Sequence, residues 1–592
     1  MATSGGPVDL LQVRGLSVSF RSRGRTTQAV SDLSFTVGAG ETLAVVGESG
    51  SGKSVTALAI MRLVEREGGT IDKGSLLFRC GDRTVDLARL DDRQMRAYRG
   101  NEISMIFQEP MTSLNPVFTV GNQLVETIRR HRPVGARAAA DLAAEALQRV
   151  RMTDPLRRLA QYPHELSGGM RQRVMIAMAL ACSPRLLIAD EPTTALDATV
   201  QAEILDLIGE LQQSSGMSVI FITHDMGVVA EIADRVVVLR QGERVEEADT
   251  RSLFGRPRAA YTRALLAAVP KLGSGAPAAV TVADGAPLME VANLVTRFPV
   301  RTGPFKRLVA RVHAVEDVSF TLHRGETLGL VGESGSGKST IGRSILKLVE
   351  PTAGAIRLEG RDIAGLTRAA MMPVRRDMQM VFQDPYASLN PRLPVSELVT
   401  EPLAIHTRLT RRQRRDVAAE LLRRVSLPPD ALDRYPHQFS GGQRQRLCIA
   451  RALSVKPKMI VADEPVSALD VSVQAQVIDL MRELQATDGI AYLFISHDIA
   501  VVEQMSHRVA VLEQGRIVEI GPTDAVLSGA GHPYTRRLLA AVPVADPTRP
   551  RRHRPERFRA PASAIYPLDH SAPPMSYRLA GTAHWVAEGA PG

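Results

Sequence analysis

The chain has 592 residues, a length that predicts several domains or a few large ones. Hydrophobic residues make up 44% of the chain and charged residues 23%, which is typical of a globular protein, and no apolar run reaches the roughly 18 to 20 residues that cross a bilayer. The first residues lack a basic segment followed by an apolar one, so no secretion signal is expected. Cys80, Cys182 and Cys448 lie far apart without a CxxC pair, which argues against a zinc ribbon or a disulfide framework.

The net charge of +10 raises the question of nucleic-acid binding. Six arginines lie within one short stretch, RPRRHRPERFR, from Arg549 to Arg559. Because much of the excess charge is local, we interpret it as a solvated tail rather than a nucleic-acid site. No nucleic-acid partner is therefore expected.

Along the chain, one sequence unit occurs twice. The phosphate-loop sequence GESGSGKS occurs at residues 47–54 and again at 332–339, and the later sequence YTRALLAAVP at 261–270 matches YTRRLLAAVP at 534–543. Between the halves lies a stretch rich in Gly, Ala and Pro that is typical of a linker. We therefore predict a first domain at 1–270, a linker at 271–288, a second domain at 289–545 and a basic, poorly ordered tail at 546–592.

Each half alternates short aliphatic runs with longer helical patterns, which predicts an α/β fold with a mostly parallel sheet covered by helices. The predicted strands of the first half are TLAVVG, ISMIFQ, LLIADE, SVIFITH and VVVL. The alanine-rich sequence ARAAADLAAEALQRVRM, between Gln108 and Ser167, predicts a helical subdomain.

The stretch GESGSGKS follows a strand pattern and precedes a helical one, and this context predicts a loop that binds the phosphates of ATP. Glycines let backbone N–H groups approach phosphate oxygens, and the start of the next helix favours their charge. Lys53 and Lys338 are predicted to reach the β- and γ-phosphates, and Ser54 and Ser339 to bind Mg²⁺. The predicted loop residues are Gly47, Glu48, Ser49, Gly50, Ser51, Gly52, Lys53 and Ser54, and Gly332, Glu333, Ser334, Gly335, Ser336, Gly337, Lys338, Ser339 and Thr340.

Two later strands, LLIADE and MIVADE, end in adjacent carboxylates, and the carboxyl end of a parallel strand faces the ligand crevice. Asp190 and Asp463 suit Mg²⁺, whereas Glu191 and Glu464 suit the base that polarises the attacking water. An acidic helix cap is the alternative for each pair.

Polar residues also end other strand patterns. His224 and His497 follow SVIFIT and AYLFIS, where a histidine can contact the γ-phosphate, and a structural histidine is the alternative for either one alone. Gln108 and Gln383 are predicted to position the attacking water or Mg²⁺, and an ordinary loop glutamine is the alternative.

The sequences LSGGM at 166–170 and FSGGQ at 439–443 each lead into a long helical pattern. A serine and two glycines at a helix start predict another anion site. One domain cannot apply both of its cradles to one nucleotide, so we predict that two domains face each other. These signature residues are Ser167, Gly168, Gly169, Ser440, Gly441 and Gly442.

Together with the ALD sequences at 195–197 and 468–470, these motifs resemble the ABC ATPases over nearly the whole chain. The resemblance implies two tandem P-loop NTPase domains, each with a RecA-like sheet core, a helical subdomain and an antiparallel β subdomain. It also implies that ATP is bound between the phosphate loop of one half and the signature of the other. Phe20 and Phe298 fall where the family stacks an aromatic ring on adenine. Since both halves keep the lysine, glutamate and histidine, two hydrolysing sites are expected. Met170 stands where the family usually has glutamine, and we expect this difference to adjust the signature without abolishing activity.

Longer strings, including YPHELSGGMRQRVMIAMAL and RYPHQFSGGQRQR, are similar to importers of dipeptides, oligopeptides and nickel. The resemblance implies glutathione or short peptides as substrates, two integral membrane permease subunits, a periplasmic binding protein and a peripheral position on the cytoplasmic face of the inner membrane. Neither linker nor tail contains a cysteine, so no iron–sulfur cluster is expected. The alternatives are a dipeptide or oligopeptide importer and, in another class, a ribosomal ABC translation factor. The short, flexible linker disfavours the translation factor, and the lack of zinc-binding cysteines or a long coiled coil disfavours a DNA-repair ATPase.

Overall fold

The computed structural model describes residues 9–22, 25–108, 113–193, 196–273, 275, 285–467, 469–549 and 564–589. These residues divide into two compact units. The described parts of residues 1–196, 200–269 and 543–552 make up the first unit, and those of 197–199, 270–542 and 553–592 make up the second. Most of the predicted linker lies outside the described residues.

The main sheet of the first unit is parallel except for one edge strand. Its central strands are entirely buried aliphatic runs, which explains why they occupy the middle of the sheet. In spatial order, the strands are Glu243–Asp249, Arg235–Arg240, Thr42–Val46, Ser218–Ile222, Leu186–Asp190 and Ile103–Ile106. An antiparallel sheet adds Arg25–Gly38, Asp9–Ser22, Gly69–Cys80 and Arg83–Asp86, in that order. The predicted strands of this half are confirmed.

Helices cover the main sheet of the first unit and form the predicted helical subdomain. The alanine-rich sequence forms the helix Ala136–Arg149, whose Ala139, Ala143 and Leu147 face an apolar core at helical spacing. The α-helices of this half are Lys53–Ile60, Asp92–Met95, Val120–His131, Ala136–Arg149, Pro155–Leu159, Gly168–Leu180, Ala198–Ser215, Met226–Ile232, Thr250–Gly255 and Ala260–Ala268. Short 3₁₀ turns lie at Val64–Glu67, Leu87–Arg89 and Pro163–Glu165.

The second unit repeats this arrangement, which confirms the α/β class for both halves. Its main sheet runs Met378–Val381, Met459–Asp463, Ala491–Ile495, Thr327–Val331, Arg508–Glu513, Arg516–Pro522, His584–Glu588 and Ser576–Gly581. Its antiparallel sheet runs Arg361–Asp362, Ala353–Leu358, Met289–Thr302, Arg307–Leu322 and Ile565–Tyr566. The α-helices are Lys338–Ile345, Arg368–Asp377, Pro385–Ser388, Val395–Leu398, Glu401–His406, Arg411–Arg424, Gly441–Leu453, Val471–Asp488, Ile499–Met505, Thr523–Ser528 and Pro533–Ala540, with 3₁₀ turns at Pro429–Asp433 and Pro436–Gln438. Within the part of the chain that the structure describes, no helix is long and apolar enough to cross a membrane.

Part of the C-terminal tail forms regular structure. Ser576–Gly581 and His584–Glu588 form a hairpin, and the second strand pairs with Arg516–Pro522. His584 Nε2 lies 2.7 Å from the buried carboxylate of Glu519. The physical reason lies in the neighbouring strand: Arg516–Pro522 is almost entirely buried, whereas its counterpart Glu243–Asp249 is a charged, mostly uncovered edge. Residues 550–563 and 590–592 of the predicted tail lie outside the described residues.

Candidate nucleotide site in each unit

In each unit, the phosphate loop connects a buried central strand to a helix. The loop turns into the helix through Gly52 (φ 95°) and Gly337 (φ 102°), both in the left-handed region. A Cβ atom at Gly52 would lie 2.7 Å from Ala29 O, and one at Gly337 would lie 2.3 Å from Ala314 O. Since a Cβ essentially never comes this close to a backbone oxygen, both positions require glycine.

The loop lysines are buried and held by carbonyl groups of their own loops. Lys53 Nζ donates to Gly47 O at 2.7 Å and to Glu48 O at 2.9 Å. Lys338 Nζ donates to Gly332 O and to Glu333 O, both at 2.7 Å. Burial lowers the pKa of Lys338, although nearby carboxylates including Glu464 and Asp463 oppose that shift. Each ammonium group is thus held by carbonyl oxygens of its own loop.

The predicted magnesium ligands meet in both units. Ser54 Oγ donates to Asp190 Oδ1 at 3.1 Å, and Ser339 Oγ donates to Asp463 Oδ1 at 2.7 Å. Burial is the main cause that raises the pKa of Asp190 to about 6, and burial also raises the pKa of Asp463. Among the described residues, Asp463 Oδ2 has no hydrogen-bond donor.

The predicted base, glutamine and histidine also come together in each unit. Gln108 Nε2 donates to Glu191 Oε2 at 2.9 Å, and His224 Nδ1 lies 3.2 Å from Glu191 Oε1. In the second unit, Gln383 Nε2 donates to Glu464 Oε2 at 2.9 Å, and His497 Nδ1 lies 3.3 Å from the same oxygen. The same three residue types therefore meet in each unit, although the glutamine and histidine contact different oxygens of Glu191 and the same oxygen of Glu464.

The backbone of both glutamates is strained. Glu191 has φ 47° and Glu464 has φ 48°, in the left-handed region that side chains other than glycine rarely adopt. Each amide donates to the neighbouring strand, to Ile222 O and to Ile495 O respectively, at 2.9 Å. Matched positions elsewhere in the two halves, such as Gln241 and Gln514, also have positive φ, so the conformation belongs to the repeated fold.

The charges of the second cluster stabilise each other. Burial by itself would raise the pKa of Glu464, but the hydrogen bond and charge of His497, together with Lys338, lower it. Burial would likewise lower the pKa of His497, and the hydrogen bond and charge of Glu464 raise it. The pair is thereby biased towards a carboxylate beside an imidazolium.

The two signatures cap their helices differently. Ser167 and Ser440 are the N-caps of Gly168–Leu180 and Gly441–Leu453, and each Oγ accepts a backbone N–H at 3.4 Å. In the second unit, the Gln443 side chain completes a capping box by accepting from Ser440 N at 3.1 Å. Met170 stands at the equivalent position and offers at best a weak acceptor, so the departure noted in the sequence removes one cap bond.

The predicted adenine-stacking aromatics lie on the antiparallel sheets. Phe20 is partly buried, and a Cβ at Gly69 would lie 2.9 Å from its ring. Phe298 is 37% exposed and pairs across strands with Val312, which pairs in turn with Ile565 of the tail. Phe298 therefore has more open surface for a ring to stack on.

Sequence reasoning missed two tyrosines that contact the phosphate loops. Glu48 N donates to Tyr261 Oη at 3.3 Å, and Glu333 N donates to Tyr534 Oη at 2.9 Å. The signal was available, because both tyrosines begin the repeated sequence YTRxLLAAVP.

Comparisons with known proteins identify the family to which the chain belongs. The ABC transporter family matches residues 30–194 and 315–467, and the oligopeptide/dipeptide transporter C-terminal region matches residues 245–294 and 518–564. The glutathione import ATP-binding protein GsiA of Pectobacterium atrosepticum is 54% identical over 604 residues, which cover 98% of this chain and 96% of that protein. The chain belongs to the ABC transporter family.

A second curated relative and one solved structure are also similar to this chain. The glutathione import ATP-binding protein GsiA of Escherichia coli K12 is 53% identical over 603 residues, which cover 98% of this chain and 97% of that protein. The solved structure of cbiO1 from Clostridium perfringens, part of the ABC transporter complex cbiONQ, is 26% identical in sequence, with a TM-score of 0.36. The match covers 41% of this chain and 92% of the cbiO1 chain.

As an ABC transporter ATP-binding protein, the chain is an ATPase. Each segment matched by the ABC family contains a phosphate loop, a Gln-loop glutamine, a signature and an acidic strand end. His224 and His497 follow those segments in the chain. Phe20 and Phe298 precede them. Tyr261 and Tyr534 lie in the matched C-terminal regions.

Proposed function

We propose that this ABC transporter ATPase energises the uptake of glutathione or short peptides through separate membrane subunits. The observation that carries the proposal is 54% identity over 98% of the chain to a protein named for glutathione import. A second candidate, import of dipeptides or oligopeptides, is favoured by the oligopeptide/dipeptide transporter C-terminal region matched in both halves.

We assign the chemistry of each half to the residues that meet there. Lys53 and Lys338 bind the phosphates, with the glycines and serines of their loops. Glu191 and Glu464 polarise the attacking water, because each is a carboxylate held by a glutamine and a histidine. We further propose that the signature of the other half contributes to each nucleotide site, as the resemblance implies. We also propose domains at 1–270 and 289–545.

The residues beside each loop fit Mg²⁺. A serine hydroxyl and a carboxylate in contact offer the hard oxygen ligands that Mg²⁺ prefers. Among the described residues, the buried Asp463 Oδ2 accepts no hydrogen bond, and Arg343 Nη2 lies 3.8 Å from it. When bound, Mg²⁺ supplies positive charge that balances the phosphate oxygens. We therefore propose Ser54 with Asp190 and Ser339 with Asp463 as ligands, and Gln108 and Gln383 as further contacts.

A cleft beside Gln383 supports the proposal of permease partners. This cleft of about 730 Å³ lies in the second unit, and its wall includes Gln383 and Ser388. Its wall includes the exposed apolar side chains of Leu348, Met372 and Ile405. Exposed apolar surface of this kind is typical of a protein interface. We propose that one of two integral membrane permease subunits docks here, with a periplasmic binding protein delivering substrate and the ATPase on the cytoplasmic face of the inner membrane.

Transport in proteoliposomes tests the substrate. The chain is reconstituted with its permease and binding subunits, and ATP-driven uptake of glutathione is compared with that of dipeptides and tripeptides. The variant carrying both Glu191→Gln and Glu464→Gln is the control for ATP dependence. Glutathione uptake that this variant abolishes supports the first candidate. Uptake of peptides without glutathione supports the second, and uptake of neither contradicts the proposed import.

A further inference from the structure

The second residue of each phosphate loop is held by a tyrosine from the C-terminal region of its own unit. Glu48 and Tyr261 are 213 residues apart, and Glu333 and Tyr534 are 201 residues apart. The tyrosines lie on the helices Ala260–Ala268 and Pro533–Ala540. Because the same contact forms twice across such separations, it is a property of the repeated fold and not of one loop.

The tyrosine and the lysine hold opposite ends of one peptide group. The N–H of Glu333 and the C=O of Gly332 belong to the same planar peptide unit. Tyr534 Oη accepts from that N–H at 2.9 Å, and Lys338 Nζ donates to that carbonyl at 2.7 Å. In the first unit, the corresponding peptide joins Gly47 to Glu48 and bonds to Lys53 and Tyr261. A peptide fixed at both ends cannot rotate without breaking a hydrogen bond to the tyrosine or to the lysine.

The tyrosine of the second unit is itself firmly placed. Tyr534 is only 3% exposed, and burial raises its pKa, so its hydroxyl stays neutral and able to accept the amide hydrogen. The Arg537 guanidinium lies 5.8 Å from the ring centroid and pairs with Glu513 at 3.4 Å.

The first unit supports its tyrosine by a different residue. Arg240, from the strand Arg235–Arg240, lies 4.9 Å from the Tyr261 ring centroid. In the second unit, Glu513 occupies the position of Arg240, and the arginine near the tyrosine ring is Arg537 of the helix Pro533–Ala540. Both rings thus keep a cation within the distance of a cation–π contact, although the residue that supplies it has changed.

We propose that Tyr261 and Tyr534 are positioning residues for nucleotide binding. Each hydroxyl fixes the first peptide of the phosphate loop, so that its carbonyl keeps the loop lysine directed for the phosphates. Without the hydroxyl, only the lysine holds this peptide, and part of the binding energy of ATP is spent on ordering it. This role gives the C-terminal region of each half a direct connection to its nucleotide site.

Tyrosine-to-phenylalanine variants of the full chain test the role. We expect Tyr261→Phe with Tyr534→Phe to raise the Kd for ATP about fivefold, which corresponds to about 1 kcal/mol for one lost hydrogen bond per site. The KM for ATP is expected to rise with Kd, while kcat stays within about twofold, because the base is untouched. Binding is measured by titration calorimetry and turnover by phosphate release.

Tyr577→Phe is the matched control. Its hydroxyl donates to Ile517 O at 2.7 Å in the second unit, away from the phosphate loop, so it loses a comparable hydrogen bond. An unchanged Kd in the double variant, or an equal rise in the control, would show that the hydroxyls act only on packing and would overturn the proposal. Because these measurements need no transport, a failed glutathione assay leaves them intact.

Discussion

Replacing the two site glutamates by glutamine tests whether both units hydrolyse ATP. Glutamine keeps the length and shape of glutamate but cannot accept the proton of the attacking water. The phosphate loops, with Lys53 and Lys338, are left unchanged. We therefore expect Glu191→Gln and Glu464→Gln to slow hydrolysis while ATP binding persists.

The geometry fixes the expected size of the effect. The glutamine-to-glutamate distance is 2.9 Å in both units, and the histidine contacts are 3.2 Å and 3.3 Å, so we expect hydrolysis at both sites. If the sites work independently, each single variant loses about half of the turnover, and more if they act in concert. Removing a general base from both sites is expected to cost about 10²- to 10⁴-fold in kcat.

Steady-state phosphate release and ATP titration measure turnover and binding on the same preparations. Glu483→Gln is the control, because Glu483 is an exposed glutamate on the helix Val471–Asp488 and undergoes the same chemical change. Turnover equal to the parent in either single variant would refute the claim of two working sites. Loss of ATP binding together with activity would refute the assignment of these glutamates as bases.

Two further predictions concern the signature and a buried carboxyl. Gln443→Met removes the hydrogen bond from Ser440 N and is expected to destabilise the second unit by about 1 kcal/mol. Met170→Gln is expected to stabilise the first unit by less, since Met170 also packs on apolar neighbours. Thermal midpoints of the two variants that do not move in opposite directions would contradict this. Burial chiefly raises the pKa of Glu513 to about 7 from 4.5, with Arg537 opposing the shift. Its stabilising contribution is therefore complete below pH 4.5 and lost as the pH rises through about 7. We expect Glu513→Gln to flatten the decline of the thermal midpoint over that window, and parallel profiles would exclude the effect.

Much of the candidate site follows from the sequence because its parts are local or lie at strand ends. A buried aliphatic run that ends in Asp190 and Glu191 can only be a central strand, and parallel strands bring their carboxyl ends to one edge of the sheet. The loop at Gly47 to Ser54 defines its own turn through its glycines. The internal repeat then identifies the equivalent of each residue in the other half.

Only the tertiary structure decided the features that depend on distant neighbours. The hairpin of Ser576–Gly581 and His584–Glu588 pairs with Arg516–Pro522, and this pairing depends on a strand that is distant in sequence, so no local pattern in the tail predicts it. The left-handed backbone of Glu191 and Glu464 accompanies hydrogen bonds from their amides to Ile222 O and Ile495 O on neighbouring strands. The bond from Glu333 N to Tyr534 joins residues 201 positions apart, so its existence depends on how the whole unit packs. Residue types and spacing determine which groups are available for chemistry, whereas folding determines which of them meet.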